Sequence, residues 1–253
     1  MFPFLAVNFS AIPWDFILIL IVLGVLVPWR GAVRVRRLLA QPALTSSQRL
    51  SLYASTIAFQ WSIVAVIYWR SVARHLTPAD LGLVVSGVWQ TLSITFVFTA
   101  LLCVNQWAGL KKIALVPADQ RGFVFQFTQK IMPQTSVETL IFVALALTAG
   151  LSEEFIYRGF VFALFSRVFG VSAVGILLAT VISSIWFAAA HFYQGRRGVV
   201  TTFVVGVLFA AVRIWTGNLV PAIIGHTGVD LVAGIYAPRV LRAKPDLVGK
   251  ETP

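Results

Sequence analysis

Seven apolar runs, each close to the roughly 20 residues a helix needs to cross a hydrocarbon core, divide this chain and leave it few ways to fold. They fall at about 14–29, 50–69, 81–105, 137–165, 171–193, 199–215 and 219–237. The first is short and lengthens if Phe4–Ile12 joins it; the fourth is overlong and is expected to begin outside the bilayer. Hydrophobic residues make up 58% of the 253, and the mean hydropathy is +0.88. A soluble domain, with roughly 45–50% apolar residues, has no way to hide that much apolar surface. The expected fold is an all-α polytopic transmembrane helical bundle of about seven spans, within a range of six to eight.

The net charge is +11, which raises nucleic acid as a partner. The basic residues, however, lie in short stretches between the apolar runs and not on one polar face, so membrane topology explains them better. With the N-terminus outside, fifteen basic residues fall inside: Arg30, Arg34, Arg36, Arg37, Arg49, Lys111, Lys112, Arg121, Lys130, Arg196, Arg197, Arg239, Arg242, Lys244 and Lys250. Arg70, Arg74, Arg167 and Arg213 fall outside. That asymmetry predicts an integral, multi-pass protein with its C-terminus in the cytoplasm. Residues 1–15 lack a basic n-region and "LVPWRGAV" is a poor cleavage site, so the first apolar run is expected to stay as a membrane helix. The single Cys103 excludes an internal disulfide and reads as a packing residue.

Between the spans, "FVFQFTQKIM" at 123–132 mixes apolar and polar residues and is expected to lie along the interface. The organisation reads as N-terminal helices and loops over 1–120, a core of helices over 121–240 and a basic tail over 241–253.

Against this background "LSEEFIYRGFVFALF", from Leu151 to Phe165, stands out, because charged residues are only 11% of the chain. A charge at mid-bilayer costs about 2.5–3.5 kcal/mol on insertion scales, so Glu153, Glu154 and Arg158 together need partners or water. Glu154 and Arg158 are four apart, on one helix face, and can neutralise each other. Glu153 points about 100° away and is left without that partner. Two other spans carry imidazoles: "SSIWFAAAHF" has Phe187 one turn before His191, and "GNLVPAIIGHTGVDLVAG" has His226 and Asp230 four apart. Singly, each has a structural reading, as a helix-bracing ion pair or an interhelical hydrogen bond. Together, a free carboxylate and two imidazoles on three helices point to an intramembrane polar cavity.

EExxxR at Glu153–Arg158, FxxxH at Phe187–His191 and HxxxD at His226–Asp230 match in order and spacing the motifs of the CPBP (Abi) family. The chain thus resembles the CAAX-protease and bacteriocin-processing membrane peptidases, over about 135–240. The resemblance implies that Glu153 is a general base sharing a water with His191, and that His226 and position 230 form the oxyanion site. It implies that Glu154 and Arg158 brace the helix, with Phe187 in support. Position 230 is often Asn in the family, and this chain has Asp. An ionised Asp cannot donate to an oxyanion, so Asp230 must be protonated or act by holding the His226 tautomer.

The implied function is an intramembrane endopeptidase that hydrolyses a peptide bond with a Glu/His-activated water. It needs no cofactor; zinc is the chemical alternative, since two His and a Glu can bind it, although the H-E-x-x-H helix of zinc proteases is absent. Its partners are a peptide or membrane-associated protein substrate and the membrane lipids, with no nucleic acid. The position of His191, near the inner end of its span, favours access from the cytoplasmic side. His226 falls in the outer half of its span by residue counting. Two rivals stay open: a non-catalytic bacteriocin-immunity or scaffold protein that uses the same polar groups structurally, and a proton-coupled transporter, against which the lack of an internal repeat argues.

Overall fold

A computed structural model describes residues 12–241. Phe4–Ala11 and the tail from Arg242 onward, with three of the basic residues in the topology count, lie outside the described residues. Among the described residues there is no strand, and seven helices are long and apolar enough to cross a membrane. These are α1 (Trp14–Ala40), α2 (Ser46–Ala73), α3 (Val88–Ala114), α5 (Ser136–Phe169), α6 (Ala173–Ala190), α7 (Phe192–Thr216) and α8 (Val220–Val240). The short α4 (Gly122–Lys130) covers most of the stretch read as interfacial.

Local chemistry sets the helix starts. Thr45 caps α2 in a capping box: its hydroxyl accepts from Gln48 N, and its own N–H donates to Gln48 Oε1. Thr135 and Ser172 accept from Glu138 N and Gly175 N at the starts of α5 and α6. Pro221 sits in the first turn of α8, where no intrahelical donor is needed.

Two expected boundaries are corrected. The first span does not stop at 29, because the Arg-rich stretch that follows is helix-forming and continues the helix to Ala40. The third span does not begin at 81. Gly82 and Gly87 take left-handed φ of 68° and 74°, which break the apolar run, so α3 starts at Val88. The segment between α2 and α3 packs down into the bundle instead. Leu81 is buried, its carbonyl faces Gly159 of α5, Arg213 of α7 donates to Asp80 O, and Leu219 N donates to Gly82 O. Burial pushes the Asp80 carboxyl up, but hydrogen bonds from Thr77 and Arg167 outweigh it and hold it below the usual carboxylate range.

Two ends of the bundle can be told apart. Trp14, Trp69, Trp89 and Trp215 stand strongly exposed at corresponding ends of α1, α2, α3 and α7, as an interfacial aromatic belt does. Asp15 pairs there with Arg70 and Arg74. At the opposite, basic end Arg49 forks onto Glu138 at 2.8 and 3.0 Å, both buried, and so joins the starts of α2 and α5. Lys130 of α4 donates to Leu39 O and Gln41 O and caps the C-terminal end of α1.

α8 is the central element, packed along α3, α5 and α7, while α6 lies against α5 and α7. Its approach to α5 depends on a glycine: a Cβ at Gly150 would lie 2.2 Å from Thr227 Oγ1 and 2.9 Å from Ile223 O. Small residues at such crossings let helices pack closely where lipid supplies no hydrophobic drive.

Candidate active site

Glu153 and Glu154 end the regular part of α5, and a wider π-type turn over Phe155–Val161 follows at once. Such turns often mark functional sites in long helices. Here it lies directly beside the charged cluster. Counted at about 1.5 Å per residue, His191 lies roughly 25 Å from the start of α6 and so at its basic end, whereas Glu153 lies near the middle of the long α5. His226 joins them although it is only six residues into α8. The reason is that α8 starts low: Leu219 is buried against Gly159 and bonded to Gly82. Within α8 His226 lies in the first third of the span, and this offset sets it level with Glu154, near the middle of α5.

The structure brings the motif residues together in two adjoining groups. In the first, His191 Nε2 is 3.8 Å from Glu153 Oε2, too far for a direct hydrogen bond. His191 Nδ1 lies 2.9 Å from Phe187 O. A carbonyl only accepts, so Nδ1 carries a proton, and in the neutral ring Nε2 is then a bare acceptor turned toward Glu153. Gln60 of α2 donates its amide N–H to Glu153 Oε1 at 2.9 Å.

In the second group, Glu154 Oε1 receives Arg158 Nη1 at 2.9 Å and faces His226 Nδ1 at 2.8 Å. Glu154 and Arg158 are both completely buried. Mutual neutralisation is what makes two charges tolerable there. The Arg158 guanidinium also lies over the Phe187 ring at 4.0 Å, a cation–π contact, and Gly206 of α7 leaves room for its Nη2. Phe187 in turn meets His191 edge-on at 4.8 Å and His226 at 5.9 Å, so one ring supports the guanidinium and both imidazoles. Asp230 Oδ2 stands 3.7 Å from His226 Nε2. The hydrogen bond that fixes the His226 ring thus comes from Glu154, and Asp230 faces the other nitrogen.

Glu153, Phe187, His191, His226 and Asp230 line one cavity of about 1220 Å³, and Tyr157 and Tyr193 share its wall. The wall continues to Arg30, Arg34, Arg121, Arg196 and Arg197, so the hollow reaches the basic end of the bundle. Among the described residues no group of three or more His, Cys, Asp or Glu side chains is arranged to hold a metal ion.

Sequence reasoning missed two features. Gln60 had a visible signal, as the one amide inside the apolar run "IAFQWSIV". The bond between Glu154 and His226 spans 72 residues and had none.

Residues 135–232, which contain all seven motif side chains, match the family model of type II CAAX prenyl endopeptidases, Rce1-like. The chain is also 32% identical over 127 residues to the membrane-embedded CAAX protease MroQ of Staphylococcus aureus (strain USA300). That match covers 45% of this chain and spans about half (50%) of the relative's length. No solved structure matches the chain significantly. With the three motifs gathered around one hollow, the segment 135–232 is similar to the type II CAAX prenyl endopeptidases.

Proposed function

We propose that the protein is a membrane-embedded endopeptidase in which Glu153 and His191 activate a water for attack on a peptide bond. One observation carries this reading: Glu153 Oε2 and His191 Nε2, the acceptor nitrogen of the neutral ring, face each other across 3.8 Å on the wall of the cavity. Only a donor can join two acceptors at that spacing, and a water that gives one O–H to each keeps its lone pairs for a carbonyl carbon.

The chemistry balances with the groups at hand. The water oxygen bonds to the carbonyl carbon, its proton passes to Glu153, and the C=O electron pair moves to oxygen. His226 opposes that oxygen. To donate from Nε2 while Nδ1 donates to Glu154 it must carry both protons, and Glu154 and Asp230 flank it to balance that charge. Asp230 serves the oxyanion through His226 or, when protonated, directly. Collapse breaks the C–N bond, the electron pair goes to nitrogen, and Glu153 returns the proton.

The substrate is a peptide segment of a membrane-associated protein that enters from the basic end of the bundle. With the N-terminus outside, that end is cytoplasmic, and the annular partners are membrane lipids. By relation to the CAAX prenyl endopeptidases, lipidated C-terminal tails are the first substrates to try. The test is peptidomics on membranes of cells that carry Glu153→Gln. Accumulation of uncleaved tails, with the variant folded at wild-type level, is expected. An unchanged peptide profile contradicts the proposal.

A rival reading has one observation in its favour: Glu154, Arg158 and His226 form a buried brace that a scaffold protein also needs. It expects Glu153→Gln and Glu154→Gln to impair folding alike.

A further inference from the structure

Gln60 lies outside the family-matched segment, on α2, and lines the cavity beside Glu153. Its Nε2 donates to Glu153 Oε1 at 2.9 Å. An ionised carboxylate only accepts, so this amide has one allowed orientation, with its oxygen turned away from Glu153. Gln60 Oε1 is buried and bonded to nothing among the described residues, and Glu153 Oε2 is in the same state. Two unsatisfied buried acceptors are thus carried by two side chains that share one hydrogen bond on the cavity wall. Buried acceptors are normally paired, and an orphaned one calls for an explanation.

Peptide hydrolysis supplies a donor for each. The attacking water serves Glu153 Oε2. The second donor is the scissile N–H itself. When the carbon becomes tetrahedral, the nitrogen turns pyramidal and must aim its lone pair at the proton held by Glu153. Its N–H then points to one side and needs an acceptor, in the tetrahedral intermediate and in the departing amine alike.

We propose that Gln60 is a further catalytic residue: Nε2 holds Glu153 in place while Oε1 accepts the N–H of the scissile amide and of the leaving amine. This role rests on the endopeptidase reading above. It exchanges no proton or electron beyond those of the hydrolysis already balanced; Gln60 only accepts a hydrogen bond that strengthens once the nitrogen takes the proton from Glu153 and becomes cationic.

A simple brace between α2 and α5 would also need Gln60, so the test separates the two by chemistry. The full-length protein in detergent is given an internally quenched peptide, chosen from a library for cleavage by the wild type. It is also given the same sequence with an ester in place of the scissile amide, which has no N–H to donate. Gln60→Met keeps the bulk and removes both hydrogen bonds. On the amide, kcat is expected to fall about 10- to 100-fold with KM within about threefold, the pattern of an interaction made in the transition state. On the ester the loss is expected to be about tenfold smaller. Equal losses on the two substrates, or none on either, overturn the role of Oε1 while leaving the endopeptidase intact. A wild-type protein that cleaves no peptide in the library overturns the endopeptidase reading, and this role falls with it.

Discussion

Glu154 Oε1 stands 2.8 Å from His226 Nδ1, and this bond between α5 and α8 ties the ion pair of one helix to the imidazole of another. The two adjacent carboxylates therefore have different surroundings. Glu154, completely buried, neutralises Arg158 and fixes His226; Glu153 faces the cavity with one oxygen unbonded.

Glu154→Gln leaves Arg158 buried without its counter-charge. Removing one partner of a buried ion pair typically costs about 3–5 kcal/mol. The variant is expected to unfold well below the wild-type temperature in detergent, whereas Glu153→Gln is expected to melt within a few degrees of it. Thermal unfolding followed by circular dichroism measures both.

Gly150→Ala tests the closeness of α5 and α8. The added methyl meets both the Thr227 hydroxyl and the Ile223 carbonyl, so α8 must shift and stretch the Glu154–His226 bond. Overpacking of this kind costs about 1–3 kcal/mol. Loss of stability together with activity is expected. Adding Thr227→Ala should restore only part of it, because the clash with Ile223 O is with backbone. Full rescue by the double variant would show that the backbones are free to part.

Arg49 and Glu138 offer a clean double-mutant cycle at the basic end. Arg49→Met or Glu138→Gln alone strands a buried charge, at a cost of about 3–5 kcal/mol. Changing both together is expected to cost far less than the sum of the singles, because neither charge then remains. Additive losses would mean that the fork contributes nothing as a pair.

Much of the site can be read from the chain because α-helical spacing brings residues four apart onto one face. Glu154–Arg158 and His226–Asp230 are i, i+4 pairs, and the structure brings each to within 4 Å. What does not follow from spacing is depth and partnership between helices. His226 lies in the first third of α8, and the inward packing of residues near Leu81 and Gly82 sets it level with Glu154. Gly82 and Gly87 hide in an apolar run, which is why the third span appears to begin too early. Arg49 reads from the sequence as one more basic residue at a membrane face, because its partner is 89 residues away.

The central claim is that Glu153 and His191 act on one water. The most direct measurement is the cleavage rate of the purified full-length protein against one peptide, for Glu153→Gln, His191→Ala and the double variant, each verified as folded. The account predicts that each single variant loses nearly all activity, that the double is no worse than either single, and that a chelator leaves the wild-type rate unchanged. Substantial cleavage by folded Glu153→Gln, or abolition of wild-type activity by the chelator, would contradict it.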